Sequence, residues 1–414
     1  MRPALRSRAI SAGMIGNAAW AERAQRALTP NYRQQPIALV RGEGVRVWDA
    51  DGKEYLDFLG GVAVNALGHC HPALVRALEE QARTLWHVSN HYFVPLQIEL
   101  AEQLLAVTPF ARRAFFCNSG AEANEAMLKL ARKYHADRGH PERNEIVSCV
   151  DSFHGRTLFT VTAGGQEKYR HGFEPLVPGL RHVPYGDLAA LDAALDDRTA
   201  AFLVEPIQGE SGVIPAPDGY LEAARELTRK RGALLCLDEV QTGVGRTGKM
   251  WCHEWAAMVP DLMSVAKALG GGFPLGALLA SEEVGAHLSA GSHGSTFGGN
   301  PLGCAVALAV LRELRGGLLE RSREVGARLR AALEALRTGG RVDRVRGRGM
   351  LLGLVLRGVA AGEVMKGARE RGLLVNAIGD DVLRLAPPLT LGEAEADLAV
   401  ERLAAALAAA PAKG

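Results

Sequence analysis

Short apolar segments of four to six residues alternate with helical stretches through the middle of the chain. The apolar segments are 113–117, 145–150, 200–205, 233–238, 262–265 and 276–281, and the helical stretches include 72–84, 97–107, 120–136 and 219–231. Strands that are apolar throughout belong to a sheet whose two faces are both covered, and intervening helices supply that cover. We therefore predict an α/β fold whose large domain has a mostly parallel sheet between helices.

The two ends of the chain have a different pattern. Residues 37–58 alternate in polarity around turn residues such as Gly42, Gly44 and Asp51-Gly52, as half-buried hairpin strands do. After Pro301 we predict a long amphipathic helix, a smaller α+β domain and a terminal helix. The predicted elements there are the helix 301–336, apolar segments at 347–356, 372–376 and 382–386 with a helix between the first two, and the helix 395–410.

From these patterns we predict four units. They are an N-terminal extension over 1–30, a segment over 31–60 that joins the small domain, a large domain over 61–300 and a small C-terminal domain over 301–414. A chain of 414 residues, 48% of them hydrophobic, is long enough to bury a sizeable core in this arrangement.

Charge and composition exclude several classes of partner. The formal net charge is +2 without a basic block, so nucleic acid is not an expected partner. No run of 18 apolar residues is present, so we expect no membrane span. Six scattered cysteines without a CxxC pair are typical of a reducing compartment. We expect a cytoplasmic protein. The alternative is an organelle matrix, because residues 1–21 are arginine-containing and free of acids, like a transit peptide; a start at Met14 is a further possibility.

A lysine and an aspartate each lie at or just beyond the end of an apolar segment. Asp238 ends the segment 233–238, and Lys267 follows the segment 262–265 and precedes the glycines 270–272. A lysine amine can form a Schiff base with pyridoxal 5'-phosphate (PLP), and a buried carboxylate can pair with the pyridine nitrogen of that cofactor. The pair predicts a PLP site.

Two further segments are compatible with this ligand. The strand 113–117 leads into Ser119-Gly120-Ala121 at the start of a helix, where backbone N–H groups suit a phosphate. Ser119 could instead simply cap the helix, with Glu122 completing a capping box. In Asp151–Arg156, the Phe153 ring could stack on a planar ring and Arg156 could clamp a carboxylate.

One motif resembles a nucleotide-binding phosphate loop but lacks a residue that such a loop needs. Residues 243–249 fit the pattern GxxxxGK of phosphate-binding loops, but Met250 stands where that motif needs a serine or threonine for magnesium.

Together these segments resemble the class III aminotransferases of PLP fold type I, from about residue 30 to the end. The resemblance implies that Lys267 is the Schiff-base lysine and that Asp238 holds the pyridine nitrogen protonated. It further implies that Val240 and Phe153 pack on the two ring faces, that Gln241 approaches the ring hydroxyl, and that Ser119, Gly120 and Ala121 bind the phosphate.

The segment His293–Pro301 resembles the part of this family that crosses between subunits. By that resemblance Thr296 reaches the phosphate of the neighbouring subunit, which implies a homodimer, and Ser295 is expected to contact substrate. Arg384 and Arg156 would bind the carboxylates of the substrates. Glu210 would pair with Arg384 when the amino donor has no carboxylate near the reacting carbon.

Within the class, segments 60–72, 85–90, 153–156 and 204–210 are similar to those of the acetylornithine aminotransferases of arginine biosynthesis. That likeness implies N2-acetyl-L-ornithine as amino donor and 2-oxoglutarate as acceptor. Val62 stands where ornithine δ-aminotransferases carry a tyrosine that holds free ornithine, which favours an N-acylated donor. Alternatives on the same scaffold are transamination of N-succinyl-diaminopimelate, succinylornithine, ornithine or 4-aminobutyrate. Outside the transaminases, an aminomutase and a binding-only homologue remain open.

Overall fold

The structure is a computed structural model that describes residues 15–413. Residues 1–14 of the predicted extension over 1–30, including the alternative start at Met14, therefore lie outside the described residues. The strands are β1 (Leu39–Glu43), β2 (Arg46–Asp49), β3 (Glu54–Asp57), β4 (Arg113–Cys117), β5 (Glu145–Cys149), β6 (Leu180–Val183), β7 (Thr199–Val204), β8 (Ile207–Gln208), β9 (Ile214–Pro215), β10 (Leu234–Asp238), β11 (Leu262–Val265), β12 (Gly276–Ala280), β13 (Val342–Arg348), β14 (Leu351–Leu356), β15 (Leu373–Leu374), β16 (Asn376–Ile378) and β17 (Val382–Leu385).

The helices include short turns as well as long amphipathic elements. They are α1 (Asn17–Ala27), α2 (Gly60–Ala63), α3 (Pro72–Ala82), α4 (Pro95–Ala106), α5 (Gly120–Asp137), α6 (Leu158–Ala163), α7 (Leu188–Ala194), α8 (Tyr220–Arg231), α9 (Glu282–Gly285), α10 (Pro301–Glu313), α11 (Leu319–Ala335), α12 (Ala361–Glu370) and α13 (Glu393–Ala409). Within residues 15–413, no helix is both long enough and apolar enough to cross a membrane.

The large sheet has seven strands in the order β4-β12-β11-β10-β7-β5-β6. All six predicted apolar segments form its strands, to within a residue at each end. Strands β5, β6, β7, β10 and β11 run parallel, whereas β12 is antiparallel to both of its neighbours. The prediction of a mostly parallel sheet is confirmed. Strand β6 was not predicted, because its sequence Leu-Arg-His-Val lacks a continuous apolar run.

Two smaller four-stranded sheets use the ends of the chain. One contains β13, β14, β17 and β16, all antiparallel. The other joins β1, β2 and β3 to β15, with Leu56 opposite Leu373 in parallel register. The N-terminal strands and the C-terminal region thus share one sheet. The four predicted unit boundaries themselves remain a prediction.

The single helix predicted over 301–336 is wrong in its middle. Helix α10 ends at Glu313, a π-helical turn covers Leu314–Leu318, and α11 begins at Leu319. Gly317 has a φ of 103° in this turn, a conformation that interrupts the helical hydrogen-bond ladder and that glycine adopts without strain. The amphipathic pattern continues through the break, so periodicity alone did not locate it.

Candidate active site

A cavity of about 430 Å³ opens at the carboxyl ends of the parallel strands. Ten of the predicted site residues line it: Ser119, Gly120, Ala121, Phe153, Arg156, Glu210, Asp238, Val240, Gln241 and Lys267. In open sheets built of parallel strands, this edge is where ligands bind. A larger cavity of about 1020 Å³ lies between α1 and α12 and contains none of the predicted site residues.

Asp238 is the last residue of β10, and its carboxylate is almost completely buried. Its Oδ2 accepts hydrogen bonds from Asn124 Nδ2 at 2.7 Å and from His154 Nδ1 at 2.8 Å. Its Oδ1 accepts a hydrogen bond from the backbone N–H of Val240 at 3.0 Å. These three hydrogen bonds fix the orientation of the Asp238 carboxylate.

Lys267 lies two residues beyond the end of β11, in a short 3-10 turn. Its φ of 45° is uncommon for a residue with a side chain, and such backbone conformations cluster at functional sites. Burial lowers the pKa of its amine, and the nearby carboxylate of Glu210 opposes that shift only in part. A lowered pKa increases the share of unprotonated amine, which is the nucleophilic form.

The Ser119-Gly120-Ala121 segment forms the N-terminus of α5. Ser119 Oγ accepts a hydrogen bond from Glu122 N at 3.2 Å, so the helix cap that the sequence allowed is present. The Glu122 carboxylate in turn accepts a hydrogen bond from Asn118 N at 2.8 Å. A Cβ at Gly120 would lie 2.6 Å from Val240 Cγ1, so glycine is required for this close approach. Gly120 and Ala121, the first residues of α5, line the cavity, and backbone N–H groups at a helix N-terminus suit a phosphate.

Arg156 is held by aromatic rings. Its guanidinium carbon lies 3.8 Å from the centre of the Tyr169 ring and 5.4 Å from the centre of the Phe153 ring. These two rings meet edge to face at 5.9 Å. Cation–π contacts of this kind orient a guanidinium while leaving its N–H groups available to a carboxylate. Tyr169 was not predicted, because a lone tyrosine in a polar segment gives no signal in the sequence.

Arg384 lies on β17 behind the cavity and is 2% exposed. Its Nη1 donates to Glu210 Oε1, to Gln241 Oε1 at 3.2 Å and to the carbonyl oxygen of Gly209 at 3.3 Å. Its Nη2 donates to Asn376 Oδ1 at 2.9 Å. Arg384 is therefore a buried, hydrogen-bonded side chain and not a surface arginine at a strand edge.

Glu210 links this arginine to the cavity. Its Oε1 also accepts a hydrogen bond from Gln241 Nε2 at 3.0 Å. Burial opposes the ionisation of Glu210, but the charges of Arg384 and Lys267 outweigh it and lower the pKa of its carboxyl. Gln241 lines the cavity as expected, and its amide is at the same time part of the Glu210–Arg384 network.

Three further polar residues of the cavity wall were not among the predicted site residues. Asn124 and His154 are the donors to Asp238 described above, and Glu205 follows β7. The Glu205 carboxylate accepts hydrogen bonds from Phe153 N at 3.0 Å and Gly209 N at 3.4 Å. Burial raises its pKa to about 7. Only Glu205 had a signal, as the first of two acids in the segment 204–210.

Ser295 and Thr296 do not line the cavity in this chain. Ser295 Oγ accepts hydrogen bonds from Asn118 Nδ2 at 3.2 Å and from Gly298 N at 3.0 Å, which places it beside the start of α5. Thr296 is exposed. Val62 also lies outside the cavity lining, whereas Val64, two residues further on, is part of it.

Val62 lies in the left-handed turn α2, and Val64 follows directly after this turn. Its four residues have φ values of 57° to 65°, although Val62 and Ala63 are not glycines. A β-branched residue in this region is a genuine conformational outlier. The packing that imposes it includes Gly60, at which a Cβ would meet the carbonyl oxygen of Ala386 at 2.5 Å.

Comparison with known proteins identifies the class of this chain. The family model Aminotransferase class-III matches residues 27–407, so the chain belongs to the class III aminotransferases and is a transaminase. Pyridoxal phosphate is the cofactor of this class.

Individual relatives narrow the resemblance. An acetylornithine aminotransferase of Pseudomonas putida is 50% identical, over 92% of this chain and 95% of that protein. One from Neisseria meningitidis serogroup B is 51% identical, over 92% and 97% respectively. Among solved structures, the acetylornithine aminotransferase of Elizabethkingia anophelis has a TM-score of 0.86 at 36% identity, covering 95% of this chain and 99% of that one. The ornithine aminotransferase of Toxoplasma gondii has a TM-score of 0.93 at 32% identity, covering 99% of both chains.

The residues present fit pyridoxal phosphate. A lysine amine, a buried carboxylate held by three donors and a helix N-terminus border one cavity, and these groups match the aldehyde, the ring nitrogen and the phosphate of the cofactor. Phe153 and Val240 border the same cavity and supply apolar surface for a ring.

Proposed function

We propose that this protein transfers the δ-amino group of N2-acetyl-L-ornithine to 2-oxoglutarate, giving N-acetyl-L-glutamate 5-semialdehyde and L-glutamate, in arginine biosynthesis. The observation that carries the proposal is the buried Arg384–Glu210 pair on one side of Lys267, with the stacked Arg156 also at the cavity. The site thus has one arginine that is free for a carboxylate and one that is masked by an acid. The named acetylornithine aminotransferases at about 50% identity support the same substrate.

Recognition of two unlike substrates follows from this pair of arginines. The donor has a carboxylate only at its far end, where Arg156 would bind it, and its reacting end would face the neutralised Arg384–Glu210 pair. 2-Oxoglutarate has two carboxylates, so one would bind Arg156 and the other would displace Glu210 from Arg384. Paired hydrogen bonds from a guanidinium suit both contacts.

The chemical step would use Lys267 and Asp238. When bound, pyridoxal phosphate supplies the electron sink for the reaction. The Asp238 carboxylate would keep a proton on the ring nitrogen, because an adjacent negative charge favours the protonated form. The Lys267 amine would act first as general base and take the proton from the substrate carbon that bears the amino group. It would then act as general acid and give that proton to the cofactor carbon that receives the amino group.

We further propose a homodimer in which Thr296 reaches the phosphate site of the partner. Thr296 lies beside Phe297, which is 59% exposed, and the Phe297 ring is 5.1 Å from that of His87. The segment containing His87 also exposes Trp86, Tyr92 and, at 93%, Phe93. An apolar aromatic surface of this kind is typical of a protein interface. Sedimentation velocity should give a dimer; a monomer at micromolar concentration would refute this part.

The location we propose is the cytoplasm. The measurement that tests it is the mass of the mature N-terminus, since a start between residues 15 and 30 would favour processing in an organelle.

A decisive test uses the PLP form of the enzyme with single donors and no 2-oxoglutarate, following the absorbance of the bound cofactor. N-acetylornithine should react fast and ornithine slowly. Faster conversion by ornithine, 4-aminobutyrate or N-succinyl-diaminopimelate would keep the transaminase and overturn the substrate. Succinylornithine is the second candidate, because a relative from Pseudomonas aeruginosa, 48% identical, is named succinylornithine transaminase/acetylornithine aminotransferase.

A further inference from the structure

The guanidinium of Arg384 is held at its two ends by unlike acceptors. Nη1 contacts the carboxylate of Glu210, which carries a negative charge. Nη2 donates to Oδ1 of Asn376, a neutral amide, at 2.9 Å. Asn376 lies on β16 directly opposite Arg384 on β17, so the pairing of the two strands fixes this second contact.

The charge of this buried arginine has a single compensating group. Within residues 15–413, Glu210 is the only carboxylate within 4.0 Å of the Arg384 side-chain nitrogens. The other acceptors, Gln241 Oε1, the carbonyl oxygen of Gly209 and Asn376 Oδ1, are neutral. The remaining titratable group of the network is Lys267, which is positive when protonated and cannot compensate Arg384. When Glu210 moves away, the arginine charge is therefore left for another anion.

One donor of the guanidinium is also free. The Nε–H group of Arg384 is buried and makes no hydrogen bond to any residue that the structure describes. A buried donor without a partner costs free energy, and a substrate oxygen would satisfy it. The Arg384 side chain is thus held by Asn376 at Nη2 and can exchange Glu210 for a substrate carboxylate at Nη1. At Nε it has a donor without a hydrogen-bond partner among the described residues.

We propose that Asn376 is a positioning residue that determines specificity for the dicarboxylate acceptor. As a neutral acceptor it holds Arg384 in place after Glu210 leaves, without neutralising the charge that then binds a carboxylate. An aspartate at this position would hold the arginine equally well but would mask its charge permanently. The inference rests on the proposed function, in which Arg384 binds 2-oxoglutarate, and it adds a residue to the acceptor site.

The test measures binding of glutarate, an unreactive dicarboxylate, to the PLP-loaded enzyme by isothermal titration calorimetry. Asn376→Asp changes the charge at almost constant shape, and Asn376→Ala removes the acceptor. We expect Asn376→Asp to weaken glutarate binding at least about tenfold and Asn376→Ala by about three- to fivefold. In both variants the single-turnover rate with N-acetylornithine should fall by a smaller factor than glutarate binding does, because the donor does not bind the Arg384 charge.

The proposal requires that Asn376→Asp bind glutarate more weakly than Asn376→Ala does. If Asn376→Asp binds glutarate as well as Asn376→Ala does, or as well as the unaltered enzyme, the neutral-acceptor role is refuted. If Asn376→Asp does not fold, as judged by circular dichroism, Asn376→Ala alone must still weaken glutarate binding by a larger factor than it slows the donor reaction. Equal losses in glutarate binding and in the donor rate would refute the proposal. Arg384→Ala tests the acceptor site independently of Asn376. If this variant binds glutarate as well as the unaltered enzyme does, the proposed acceptor site itself is wrong.

Discussion

Replacing Glu210 with glutamine tests the competition between this acid and the substrate for Arg384. The change removes the negative charge but keeps the size of the side chain and an oxygen that accepts a hydrogen bond. Arg384 is 2% exposed, so water screens its interaction with the Glu210 charge less than it would at the protein surface. Because the pKa of Glu210 is lowered by the charges of Arg384 and Lys267 in spite of burial, the carboxylate is ionised through the neutral pH range and competes throughout it.

The size of the effect follows from the contact. Two unit charges about 4 Å apart attract by about 4 kcal/mol at an effective dielectric constant of about 20. The glutamine retains a neutral hydrogen bond worth roughly 1 kcal/mol. The Glu210 side chain is 22% exposed, so water reduces the difference further. We expect a net gain of about 1.5 to 3 kcal/mol for a carboxylate ligand, or roughly ten- to hundredfold in kcat/KM for L-glutamate as donor.

The assay compares single-turnover rates with L-glutamate and with N-acetylornithine, followed by the absorbance of the bound cofactor. Glu210→Gln should raise the rate with L-glutamate relative to the rate with N-acetylornithine. The rate with N-acetylornithine itself should not rise. Glu210→Asp is the matched control, since it keeps the charge and should keep the ratio close to its original value. An unchanged ratio in Glu210→Gln would refute the competition between Glu210 and substrate carboxylates.

The remaining predictions concern the cofactor and the far carboxylate. Lys267→Ala should abolish turnover yet still bind PLP in a spectroscopic titration; retained turnover would remove this amine from the mechanism. Asp238→Asn should lower kcat by orders of magnitude, because the ring nitrogen loses its anionic partner, and near-normal kcat would contradict that role. Tyr169→Ala should raise KM for both substrates about three- to tenfold by releasing Arg156, while Tyr169→Phe, which keeps the ring, should not. Thr296→Ala should weaken PLP binding about tenfold or more if the threonine contacts the phosphate, and Thr296→Ser should bind normally.

The sequence was most informative where chemistry and burial coincide. Asp238 ends one buried strand and Lys267 lies two residues beyond another, so the same apolar runs that predict the sheet also predict that these residues lie at one edge. The structure agrees with that placement. Strand β6 and the break at Gly317 were missed, because the first lacks an apolar run and the second leaves the helical periodicity intact.

The polar partners of the site could not be predicted for a different reason. Asn124 and His154 are 114 and 84 residues from Asp238 in sequence, and their hydrogen bonds exist only once helix, loop and strand have packed. The contact of Asn376 with Arg384 likewise depends on the register of two short strands. Single polar side chains carry no periodicity, so a sequence pattern predicts candidate reacting groups more readily than the groups that orient them.

The pairing of β3 with β15 has a consequence for the folding of the chain during its synthesis on the ribosome. The two strands are separated by roughly 300 residues, yet they lie side by side in one sheet. At a synthesis rate of about 5–20 residues per second, the N-terminal hairpin waits roughly 15–60 s on the ribosome before its neighbour exists. During that time β3 presents an unpaired edge, which is a site for wrong pairing between nascent chains. We expect the seven-stranded sheet, whose strands all lie between residues 113 and 280, to form before the shared sheet closes.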